Sequence, residues 1–202
     1  MRLRIHSLLS PLFLVIFLSI EYGFRTRIES SGPYTSYLIE VLFVLIVAFG
    51  WKGFRFLRSS PGWSGSANLA LMFGFGIAAR ALCTPLEVGT PFDLSSPETI
   101  LFLVVVGPIL EEFVFRGVLM RLMRDIVLSR YLIILMSAIA FSYSHFQILF
   151  ETPENLHGFI QYQAVYTFFL GLACGYFAVT YGLLWAILGH FLFNFGFLLS
   201  PW

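Results

Sequence analysis

The sequence predicts an all-α fold, a polytopic transmembrane bundle of about seven spans forming a single domain over residues 1–202. Three observations carry this prediction. The chain is 58% hydrophobic and 11% charged, with a mean hydropathy of +0.86, far from the roughly 25% charged residues of soluble domains. Apolar stretches approaching the roughly 20 residues a helix needs to cross a bilayer recur along it, and none shows the period-two alternation of a lipid-facing barrel. Its basic residues also divide unevenly between alternate loops.

The expected spans, in order, are 8–22, 34–50, 65–83, 99–120, 131–149, 159–178 and 182–199. The first follows a basic segment, Met1 to Ser7, which also suits a secretory signal peptide, but no small-x-small cleavage site follows promptly. The second and third carry the ionisable residues Glu40 and Arg80, which either line a cavity, snorkel or pair with each other. Turn residues separate the spans at Ser59-Ser60-Pro61-Gly62, from Thr84-Pro85 to Pro97-Glu98, and at Thr152-Pro153-Glu154-Asn155. No polar linker exceeds about 15 residues, so one helical domain without a soluble appendage is expected. Cys83 and Cys174 stand in apolar surroundings on different spans and read as small buried hydrophobes, without disulfide or metal spacing.

With the N terminus inside, the inner segments hold Arg2, Arg4, Lys52, Arg55, Arg58, Arg121, Arg124 and Arg130, and the outer loops hold only Arg25 and Arg27. That asymmetry follows the positive-inside rule and predicts an N-inside, C-outside protein. Glu87, Asp93, Glu98, Glu151 and Glu154 fall outside. No basic patch suits nucleic acid.

Chemistry concentrates in the second half. Glu111-Glu112-Phe113-Val114-Phe115-Arg116 puts two acids and a base inside the fourth span, where each charge costs about 2.5–3.5 kcal/mol unless paired or used. Residues four apart share a helix face, so Glu112 and Arg116 are expected to pair. Glu111 points about 140° away from Arg116, toward a polar cavity, with its carboxylate available for proton transfer. The alternative is an ion-pair cluster that only fixes helix packing. The fifth span places Phe141 and His145 on one face, and the seventh places His190 and Asn194 on one face. Singly, each histidine is as readily an interfacial or interhelical hydrogen-bonding residue. Together, a carboxylate and an imidazole can activate one water while a second imidazole and an amide N–H donate to an oxyanion. Neither G-x-S-x-G nor H-E-x-x-H occurs, so serine and zincin hydrolysis lack their signatures.

In order, Glu111-Glu112-x-x-x-Arg116, Phe141-x-x-x-His145 and His190-x-x-x-Asn194 resemble the three motifs of the CAAX protease and bacteriocin-processing family of intramembrane peptidases. Gly117, Gly171, Gly175 and Leu184-Trp185 fit its texture, and the resemblance covers about residues 99–199, with 1–98 as N-terminal accessory spans. It implies a glutamate-type endopeptidase in which Glu111 and His145 activate water, His190 and Asn194 hold the oxyanion, and Glu112 and Arg116 position the site. No cofactor is favoured; if a metal takes part, Zn²⁺ on Glu111, His145 and His190 is the implied set. The implied partners are the lipid bilayer and a protein or peptide with a membrane-proximal tail. The compact length resembles a bacterial member, in a cytoplasmic membrane. The alternative is a non-enzymatic immunity factor or small transporter using the same buried cluster, although no inverted repeat is present.

Overall fold

The computed structural model describes residues 5–23, 35–50, 62–92 and 94–199, and all their regular secondary structure is helical. Arg2, Arg4, Arg25, Arg27, Lys52, Arg55, Arg58, the Ser59–Pro61 turn and Asp93, on which part of the predicted topology rests, lie outside these residues.

Helix α1 spans Ile5–Leu18 and runs into a π turn at Ser19–Gly23; α2 spans Thr35–Gly50 and α3 Gly62–Ala81. The rod called here α4 is composite: Pro97–Leu101, a π segment at Phe102–Val106, Gly107–Glu112, a second π segment at Phe113–Leu119, and Met120–Met123. Helix α5 spans Arg130–Phe146 and continues as a 3-10 turn at Gln147–Glu151, α6 spans His157–Thr180 and α7 spans Leu183–Leu199.

Two stretches are long and apolar enough to cross a membrane by length and composition, Arg130–Phe150 and Glu154–Thr180. Of the seven expected spans, these two meet that measure among the described residues. Helix α7 is apolar but has 17 residues, and the π segments divide α4. Helix α3 has 20 residues but opens on the more polar run Gly62-Trp63-Ser64-Gly65-Ser66-Ala67-Asn68, which lowers its hydropathy.

Local chemistry sets the helix ends. Ser96 caps α4, its hydroxyl accepting from Thr99 N–H at 3.2 Å, and Pro97 occupies the first turn. Its own backbone N–H and the Ser96 hydroxyl, 2.9 Å away, hold the exposed Glu98 carboxyl below the usual carboxylate range. Between α6 and α7 the chain reverses at Gly182, whose φ of 110° favours glycine. There the Tyr181 and Gly182 N–H groups both donate to the Phe177 carbonyl.

Packing in the second half depends on small residues. A Cβ on Gly171 would meet Ala138, and one on Gly175 would meet Ile134, so this four-residue glycine pair lets α6 press against α5. Helices α3 and α7 cross in the same manner, because a Cβ on Gly76 or Gly196 would strike the Phe193 or Phe73 carbonyl. Helix α1 ties to the centre through Ser10, which donates to Asp125 at 2.6 Å, and Tyr22, which donates to the Ala140 carbonyl at 2.7 Å. It therefore runs alongside α5 in the same direction. The core, including Val118, Phe141, Cys174, Ala186 and Phe193, lies where α4 to α7 meet.

Candidate active site

The acid pair sits on the short α-helical piece Gly107–Glu112, between the two π segments of α4. In both segments a backbone N–H reaches five residues back, Gly107 to the Phe102 carbonyl and Met120 to the Phe115 carbonyl. π insertions widen a helix locally and recur at functional sites. Here they flank the acid pair, and the second contains Arg116.

The two glutamates point to different surroundings. Glu112 is fully buried, with Oε1 3.1 Å from Arg116 Nη1 and 2.9 Å from His190 Nδ1. Glu111 is partly exposed and lines a cavity of about 100 Å³, room for several water molecules. His190 joins the two acids, because its Nε2 lies 3.6 Å from Glu111 Oε2. Since a carboxylate only accepts, Nδ1 carries the hydrogen toward Glu112, which turns Nε2 toward Glu111 and the cavity.

His145 faces the same cavity from α5. Its Nδ1 is 3.0 Å from the Phe141 carbonyl, to which the Ser144 hydroxyl also donates at 2.7 Å. A carbonyl cannot donate, so Nδ1 bears a hydrogen, and in the neutral form the ring's lone pair is at Nε2. The Phe141 ring explains the four-residue spacing of that motif. It meets His145 and His190 edge-on at centroid distances of 4.8 and 5.7 Å, and the Arg116 guanidinium stacks over it at 4.5 Å. Arg116 also donates to the Gly171 carbonyl at 3.3 Å, joining α4 to α6.

Asn194 completes the cavity from α7, one turn beyond His190, with Nδ2 donating to the Leu103 carbonyl at 2.6 Å. The cavity therefore gathers Glu111, His145, His190 and Asn194, while Glu112 and Arg116 lie behind it. The Glu111 carboxylate is in ion-pair range of the His190 imidazole, and His145, expected to share a water with it, lines the same cavity.

Sequence reasoning passed over several lining residues. Gln163 and Thr167 stand four apart on α6 and face the cavity together, a polar pair in an apolar span that helical spacing made visible. Thr90, Phe92 and Leu94 close the cavity from the α3–α4 loop, where no periodicity exists to be read. Phe92 is held edge-on against Phe159 at 5.6 Å. Neither of the early-span candidates lines this cavity. Glu40 borders a separate small one beside Phe17 and Val114, and Arg80 stacks over Phe197 at 5.6 Å.

A divalent ion needs several donor atoms within reach of one another. Among the described residues, the group whose ligand atoms all fall within 4.8 Å of one another is Glu112, Cys174 and His190, not Glu111, His145 and His190. Glu112 is already shared by Arg116 and the His190 N–H, and neither Glu112 nor Cys174 reaches the cavity. This cluster does not fit an exchangeable catalytic ion.

The family model described as type II CAAX prenyl endopeptidase Rce1-like matches residues 94–196, half of the chain. The chain belongs to that family. The match begins in the loop that closes the cavity and ends two residues beyond Asn194, so it contains every residue of the Glu/His/Asn set. Comparison with curated proteins and with solved structures finds no match. Membership in the Rce1-like family brings a membrane-integral protein with a protease role, as the three motifs implied.

Proposed function

We propose that this Rce1-like protein is a membrane-embedded glutamate peptidase that hydrolyses a peptide bond near the C terminus or membrane segment of a protein or peptide. The observation that carries the reading is the convergence of Glu111, His145, His190 and Asn194, from three helices, on one cavity. A water between Glu111 and His145 gives a proton to the Glu111 carboxylate as its oxygen attacks the scissile carbonyl, with His145 Nε2 accepting its second hydrogen bond. The oxyanion is held by an Asn194 N–H and, when His190 carries both protons, by its Nε2–H. Glu111 then returns the proton to the leaving amine. Glu112 balances His190 from behind, and Arg116 balances Glu112.

Residues 99–199 are the catalytic core of this reading, and residues 1–98 are accessory spans. The seven helical rods span the membrane with the N terminus inside and the cavity opening toward the outer face of a bacterial cytoplasmic membrane. No step needs a metal. Cysteine-accessibility labelling across the loops decides the orientation, and labelling of both termini on one face overturns it.

The activity test uses the purified chain in lipid nanodiscs with two quenched peptides. One ends in a farnesylated CAAX tail and the other in an apolar tail like that of an exported protein. Cleavage by the wild type that persists in strong chelator and is lost in Glu111→Gln supports the reading. Full cleavage by Glu111→Gln removes Glu111 from the mechanism, and no cleavage of either peptide by the wild type favours the non-enzymatic immunity or transport reading.

A further inference from the structure

A helical carbonyl takes its hydrogen from the N–H four residues on in α register, or five residues on in π register. For Leu103 those donors are residues 107 and 108. The Gly107 N–H is given to the Phe102 carbonyl, five residues back, and Pro108 has no N–H. The π turn removes one donor and the proline removes the other. The Leu103 carbonyl is instead met from α7 by Asn194 Nδ2, at 2.6 Å, across 91 residues of sequence.

This contact settles how the carboxamide sits. Because the carbonyl only accepts, the nitrogen end of Asn194 is fixed there, leaving the second N–H and the oxygen for the cavity that Asn194 lines. An asparagine χ2 is otherwise broad and roughly two-fold. A donor aimed at developing charge is effective when it is oriented beforehand.

We propose that Pro108 is a positioning residue for Asn194: by stripping the Leu103 carbonyl of its last ladder donor, it reserves that carbonyl as the anchor that aims the Asn194 amide. A proline within a buried rod is tolerated because a side chain from a neighbouring helix satisfies the freed group, and here that side chain belongs to the candidate oxyanion donor. The kinetic consequence rests on the peptidase reading; the geometric one does not.

The test is Pro108→Ala, which restores an N–H able to compete for the Leu103 carbonyl and places a good helix former in the rod. The chain has three asparagines, Asn68, Asn155 and Asn194, so asparagine-selective ¹⁵N labelling in micelles gives three side-chain amide pairs, and Asn194→Ala assigns the third. The wild type is expected to show an Asn194 pair with one N–H shifted downfield and protected from exchange, and Pro108→Ala to lose both features while its melting temperature holds. On the peptide that the wild type cleaves, Pro108→Ala is expected to lower kcat about ten-fold, the scale of one ordinary hydrogen bond, with KM within about two-fold. The Pro108→Ala/Asn194→Ala double variant should be no slower than Asn194→Ala alone. An unchanged Asn194 amide pair in Pro108→Ala, or losses that multiply in the double variant, overturns the proposal. If the wild type cleaves neither peptide, the peptidase reading fails and the amide spectrum alone decides whether Pro108 sets the anchor.

Discussion

Helices α1 and α2 and the bundle from α4 to α7 both turn apolar side chains outward but differ in what they bury. The first pair exposes much of its apolar surface: Leu12, Val15 and Ile16 on α1, and Leu38, Leu42, Leu45 and Ile46 on α2, are all exposed. Its two helices meet through Phe17 against Phe43 at 5.8 Å, and the pair touches the centre through Phe17 against Phe115 at 6.4 Å. The second bundle buries Glu112, Arg116 and His190 and lets helices approach through glycine. Apolar residues facing outward suit a lipid solvent, in which greasy surface is not a cost. Polar residues facing inward are expensive there and mark where work is done. The contrast teaches that in this chain the interior, not the surface, carries the information about function.

Five substitutions test that contrast, beginning with the largest effect. Glu111→Gln keeps the size of the side chain but removes its base, and should reduce turnover by about 10²–10⁴-fold with an unchanged melting temperature; turnover within a factor of two would place the chemistry elsewhere. Arg116→Ala strands Glu112 beside His190 and removes the Gly171 contact. Breaking such a buried pair costs about 3–5 kcal/mol, read as a large fall in thermal stability in detergent, whereas a small fall would mean that water reaches Glu112. Gly196→Val should destabilise by about 1–3 kcal/mol through overpacking against the Phe73 carbonyl. The same change at Gly74, where a Cβ meets nothing, should leave the melt nearly unmoved. Finally, Glu40→Gln should leave turnover unaltered, since Glu40 borders its own cavity away from Glu111. A ten-fold loss there would erase the distinction between the two regions.

Much of the site was legible because four-residue spacing survives in short helical pieces. Glu112 with Arg116, Phe141 with His145 and His190 with Asn194 all stand as that spacing places them. What periodicity cannot express is a change of period. The π segments at Phe102–Val106 and Phe113–Leu119 lie where Pro108 withholds a backbone donor and side chains of other helices take backbone carbonyls, Asn194 that of Leu103 and Ser137 that of Phe115, at 3.3 Å. A reading of α4 by itself therefore returns one uninterrupted span. The bridge from His190 to both glutamates was hidden because it joins residues 78 and 79 positions apart (190 − 112 and 190 − 111). The wall formed by Thr90, Phe92 and Leu94 comes from a loop with no repeating pattern. Gln163 and Thr167 were readable by spacing and were passed over because neither bears a charge.

The Glu112–Arg116 pair has a consequence for biogenesis. If the fourth rod spans the bilayer as proposed, it leaves the ribosome well before α7 and enters the membrane before His190 exists. A buried acid that depended on that distant imidazole would face the hydrocarbon as a bare charge. Because its counter-ion lies one turn away on the same helix, 3.1 Å off, the segment arrives already neutralised at Glu112 and can wait in lipid for the rest of the chain. The pair that later braces the site first serves as its passport into the membrane.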